Sequence, residues 1–105
     1  MTSKENYIAK KIQEAIFSID SKAQVILFGS RARGDAKKDS DWDILILIDS
    51  PVTTEKERAF RYKLYDLELE TGEVFSTFVQ NEKVWNTKHQ VTPFYQNIRK
   101  EGVLL

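Results

Sequence analysis

The sequence has no cysteine. Disulfides and thiolate metal sites are therefore excluded, and stability has to come from a packed core. It has only two prolines and four glycines, and no stretch of it reads as a linker, a repeat or a low-complexity tract. There is a single histidine, His89, in a polar stretch with no ligand partners around it. Neither sign of charge is in excess: 16 Lys and Arg balance 16 Asp and Glu, for a formal net charge of zero. Nothing in that balance draws the chain to nucleic acid or to an anionic membrane, so direct nucleic-acid binding is not expected. No apolar run is long enough to span a bilayer, and the segment Met1–Tyr7 is too polar for a signal peptide. At 105 residues with 41% hydrophobic side chains, the expectation is one soluble, cytoplasmic domain, residues 1–105, built on one core.

What the chain does have is concentrated between residues 25 and 48. The apolar run Val25-Ile26-Leu27-Phe28 stops at Gly29-Ser30, a basic connection follows, and Asp41-Trp42-Asp43 opens a second apolar run, Ile44–Ile48. Short apolar runs bounded by turn residues read as strands buried on both faces, which leaves the polar groups at strand ends. Side chains alternate along a strand, so Asp41 and Asp43 point the same way and Trp42 the other. Two carboxylates held that close repel unless a cation neutralises them, and hard oxygen ligands on a strand suit Mg²⁺. Gly29 lets backbone N–H groups approach a phosphate, Ser30 adds a hydroxyl, and a following helical turn adds positive dipole. Arg31, Arg33, Lys37 and Lys38 add cationic charge nearby, and arginine grips phosphate through two donors. Gly29 and Gly34 have the glycine spacing of a P-loop, but Asp35-Ala36 stands where that motif needs Lys and then Ser or Thr.

The rest of the chain supplies a frame. Residues 4–19 carry Ile8, Ile12, Ala15, Ile16 and Ile19 on one helical stripe, with Ser3 as the cap. Residues 54–70 form a second helix, opened by Thr54-Glu55-Lys56-Glu57 as a capping box and closed at Thr71-Gly72. A third strand is expected over Glu73–Val79. Asn81 caps a short helix through Trp85, Thr92-Pro93 starts another that Gly102 stops, and Val103–Leu105 either adds a short edge strand or contacts a partner. Buried strands joined by long connections imply an α/β layer arrangement.

The stretch G-S-R-A-R-G-D-A-K-K-D-S-D-W-D-I resembles the signature of the DNA polymerase beta-like nucleotidyltransferases. More narrowly, it is similar to the small stand-alone minimal nucleotidyltransferases, through Gly29, Ser30, Ala32, Arg33, Gly34, Ser40, Asp41, Asp43 and Ile44. The segment from Thr92 to Leu105 resembles their C-terminal end. The resemblance implies an α/β (α+β) fold, a small mixed sheet of three to four strands with helices packed on it. It implies Asp41 and Asp43 as catalytic metal ligands, Gly29, Ser30 and Arg33 as nucleotide-binding residues, and MgATP as the nucleotide substrate. It also implies an antitoxin whose partner is a HEPN-domain toxin, modified by transfer of AMP. One departure stands out. The family's third acidic residue, carried on the third strand, falls at Ser76, which leaves Glu70 and Glu73 as the acids that would have to substitute.

Overall fold

The two apolar runs become the centre of a four-stranded sheet. A computed structural model describes residues 1–105. In chain order it contains α1 (Ser3–Phe17), β1 (Gln24–Phe28), α2 (Ser30–Arg33), β2 (Trp42–Ile48), α3 (Thr54–Thr71), β3 (Phe75–Asn81), α4 (Glu82–Thr87), α5 (Pro93–Glu101) and β4 (Val103–Leu104). The sheet order is β3-β2-β1-β4. β1 pairs antiparallel with β2 and with β4, while β2 and β3 run parallel. The sheet is therefore mixed, and the crossover through α3 is the connection that joins parallel strands.

Strand alternation divides the core in two. Val25, Leu27, Trp42, Ile44, Ile46, Ile48, Phe75 and Val79 face α1 and α3, where Ile8, Ile12, Ile16, Phe60, Leu64 and Leu67 close over them. Ile12, Ile16 and Phe60 are fully buried, and each such side chain contributes about 1.5–3 kcal/mol. The opposite face carries Phe28, Leu45 and Leu47 under Trp85, Tyr95 and Ile98 of the two C-terminal helices. Those helices are short, so this second face is only partly covered. The carboxylates sit at its uncovered end.

Several local expectations shift by a residue or two. α1 is capped by Thr2, whose hydroxyl accepts from Glu5 N–H while the Glu5 carboxylate accepts from Thr2 N–H. α3 is capped by Thr53, which accepts from Lys56 N–H, so the Thr54–Glu57 capping box does not form. In each case two adjacent hydroxyl residues are candidates, and the first of the two forms the cap. β3 begins at Phe75 rather than Glu73 and runs on to Asn81, which also caps α4. The caps at Asn81 and Thr92 and the edge strand after Gly102 form where the sequence places them. His89 stacks on the Trp85 ring at 5.6 Å, a packing role.

Candidate active site

Register brings the site together. Asp43 lies opposite Phe28 on β1 and opposite Ser76 on β3. Directly paired residues share a sheet face, so these three form one row across the uncovered face. Asp41, two residues before Asp43, joins them: the Ser76 hydroxyl donates to Asp41 Oδ2 at 3.3 Å. Two residues further along β3, Phe78 points the same way and remains exposed, packed against Phe28 and Phe94 with ring centres 5.5–5.9 Å apart.

Gly29 ends β1 beside Asp43. Its φ of 75° and ψ of −159° lie in a region open essentially to glycine alone. A Cβ there would also collide with the Asp43 carboxylate. The glycine is therefore required by backbone conformation, and any side chain in its place would push the Asp43 carboxylate off its position. The Gly29 carbonyl accepts from the amides of Ala32 and Arg33, which closes the single turn of α2. One turn carries little of a helix dipole, so any anion held here is held by individual N–H groups and by the Ser30 hydroxyl.

The electrostatics are those of a site short of cation. Burial, then the nearby Asp41 charge, push the Asp43 carboxyl above its ordinary range; Arg33 opposes this and Glu101 adds to it. No lysine or arginine forms an ion pair with either aspartate. Paired hard oxygen donors, one already disfavoured as a free charge, fit a divalent cation.

The two arginines separate. Arg31 turns to the other side of α2 and is buried, where its guanidinium meets Glu5 at 3.4 Å and Glu73 at 3.6 Å. It also donates to the Ser40 carbonyl at 2.9 Å and sits 5.2 Å from the Trp42 ring centre. It is a structural clamp rather than a phosphate ligand. Arg33 stays on the site side, pairing with Asp35 at 3.3 Å and with Glu101 at 3.1 Å. Neither acid weighed as a replacement at the third position reaches the site. Glu73 is held by Arg31 and Lys4 on the main-core side. Glu70 is exposed and lines a groove between α1 and α3 with Lys11, Glu14 and Lys63. The acid that does arrive is Glu101, from the last turn of α5. It accepts from Gly29 N–H at 3.2 Å and from Arg33 Nη1. Nothing local in the sequence pointed to it: an acid in a helix's last turn is mildly unfavourable there, but the equally placed Glu70 of α3 stays exposed without an ion pair.

Residues 9–104 match the family model described as Nucleotidyltransferase domain. The chain belongs to this family. An inferred protein adenylyltransferase of Methanocaldococcus jannaschii is 35% identical over 104 residues, covering 91% of this chain and 95% of that protein. A second inferred protein adenylyltransferase of the same organism is 44% identical over 68 residues, covering 57% of this chain and 69% of that one. The fold is also that of a crystal structure of a toxin–antitoxin with AMP-PNP, at a TM-score of 0.65 and 16% identity, covering 90% of this chain and 69% of that chain. The mixed sheet expected from the sequence is thus the fold of a nucleotidyltransferase. No helix is long and apolar enough to cross a membrane.

Proposed function

We propose that this domain, residues 1–105, transfers AMP from MgATP to a hydroxyl on a protein acceptor, the acceptor oxygen bonding to the α-phosphorus as the bond to the β-phosphate breaks and pyrophosphate leaves, and that the acceptor is a HEPN-domain toxin which it neutralises. The observation that carries the reading is the cation-poor Asp41–Asp43 pair set against Gly29 at the open end of the sheet. The resemblance to inferred protein adenylyltransferases and the fold shared with a toxin–antitoxin structure support the acceptor class.

In this reading Gly29 N–H, the Ser30 hydroxyl and Arg33 hold the triphosphate, and Asp41 and Asp43 hold Mg²⁺. The bound cation supplies charge neutralisation and alignment for in-line attack on the α-phosphate. Ser76 donates a hydrogen bond to Asp41 and so orients it. A serine hydroxyl cannot take the proton of the attacking hydroxyl as a carboxylate would. A general base is worth about 10²–10⁴-fold, so turnover is slow by that order.

Ser76 also favours a second reading, in which the protein binds nucleotide and neutralises its partner by occlusion alone. Intact mass of the HEPN-domain partner, after incubation with this protein and MgATP, separates the two. A gain of one or more AMP units supports transfer. Unchanged partner mass, with neutralisation that survives Asn at Asp41 and Asp43, refutes transfer in favour of occlusion.

A further inference from the structure

Glu101 already occupies the donors that the proposed reading reserves for phosphate. Its Oε1 accepts from Gly29 N–H at 3.2 Å, and both its oxygens accept from Arg33 Nη1, at 3.3 and 3.1 Å. A backbone N–H beside a glycine together with a guanidinium is an anion-binding pair. The carboxylate's presence there is otherwise unfavourable. It stands at the negative end of α5, where Arg99 and Lys100 offset part of the dipole, and it adds to the charge already crowding Asp43. Arg33 is the one basic partner shared among these acids.

We propose that Glu101 is an internal stand-in for a nucleotide phosphate, one that nucleotide must displace. This rests on the nucleotide reading above and adds a regulatory element to it. Its position is enforced by the chain that follows. A Cβ on Gly102 would lie 2.5 Å from the Ile98 carbonyl oxygen and 2.9 Å from Ile26 Cγ2, so the end of α5 is pressed onto β1. From there Val103 and Leu104 pair with Leu27 and Ile26. β4 is two residues long and both are exposed, though Leu105 beyond it donates to the Val25 carbonyl at 2.8 Å and packs on the main core. A phosphate and Glu101 cannot both take the Gly29 amide, and two anions side by side repel. Entry of nucleotide therefore turns Glu101 away and perturbs the strand that follows it two residues on. In the free protein, the fraction of molecules with Glu101 in place lowers the apparent affinity.

The test titrates wild type, Glu101→Gln and Glu101→Ala with magnesium tripolyphosphate and with MgATP by calorimetry. Both variants bind each probe more tightly, on the order of fivefold, and by the same factor because the change lies at the phosphates. Unchanged or weaker binding in Glu101→Gln overturns the proposal, since a residue that merely shapes the loop loses affinity when replaced. Wild type that binds neither probe overturns the nucleotide reading itself. Amide NMR on the wild type gives a readout that needs no variant. Saturating tripolyphosphate shifts the Val103 and Leu104 resonances along with Gly29. A shift at Gly29 with β4 unmoved refutes the coupling.

Discussion

Replacing Gly29 with Ala, beside the same change at Gly34, tests whether the site's geometry comes from the backbone. Both glycines have positive φ, 75° and 86°. At Gly34 an added Cβ meets nothing within 4 Å. Its conformation is the ordinary left-handed one, which costs an alanine about 1–2 kcal/mol. Part of that is offset by about 0.4–1 kcal/mol from a stiffer unfolded chain, leaving a net loss of about 1 kcal/mol. At Gly29 the conformation is nearly glycine-only, costing about 1–3 kcal/mol. The added Cβ also drives the Asp43 side chain off its position, for about 0.5–1.5 kcal/mol more. With the same offset, Gly29→Ala loses about 2–3 kcal/mol. At about 4 °C per kcal/mol for a domain of this size, its melting temperature falls several degrees below that of Gly34→Ala. Thermal denaturation reads the difference, and MgATP protection reads the site. Gly29→Ala melts lower and is not protected, while Gly34→Ala is protected nearly as well as wild type. Equal melting temperatures and equal protection would refute the backbone argument.

Three further perturbations probe other parts of the account. Ser76→Asp puts a third carboxylate beside Asp41; it lowers metal-free stability by about 1 kcal/mol, Mg²⁺ reverses that loss, and AMP transfer measured by intact mass rises by up to about 10²–10⁴-fold. An unchanged rate would mean the missing acid is not what limits turnover. Arg31→Ala leaves the largely buried Glu73 with only the exposed Lys4 as a partner, 3.7 Å away, and costs about 2–3 kcal/mol in urea denaturation, while the folded variant keeps wild-type MgATP affinity; lost affinity with full stability would restore Arg31 as a phosphate ligand. Asp20 is held below the usual carboxylate range chiefly by its hydrogen bond from Lys56, 3.0 Å away. Its contribution is therefore complete above the ordinary aspartate range and disappears as pH falls through the lowered value. The melting-temperature gap between wild type and Asp20→Asn is largest near neutrality and closes in acid; a gap that widens in acid contradicts this.

The parts of the molecule legible in the sequence are those written in local pattern. Val25–Phe28 and Ile44–Ile48 are continuous apolar runs with abrupt ends, and they are the strands at the sheet's centre. The Asp41–Asp43 alternation follows from the pleat, and Ser76 beside Asp41 follows from β3 lying parallel to β2. What local pattern alone could not separate were Arg31 and Arg33; only the family resemblance singled out Arg33. Neighbours on a single helical turn point to different sides, and their partners depend on how that turn sits on Trp42. Their acids, Glu5, Glu73 and Glu101, come from distant elements. Glu101 was missed because it lies 72 residues from Gly29. Only the docking of α5 and the return of β4 along β1 bring it there.

The account's central claim is that Asp41 and Asp43, set against Gly29 and Ser30, form a magnesium–nucleotide site. It is tested most directly by titrating MgATP into the wild type and into a double variant with Asn at both aspartates, with circular dichroism confirming that both are folded. Magnesium-dependent binding to the wild type, lost in the folded variant, is the predicted result. Equal affinity in the two proteins would contradict the claim and place any nucleotide elsewhere on the fold.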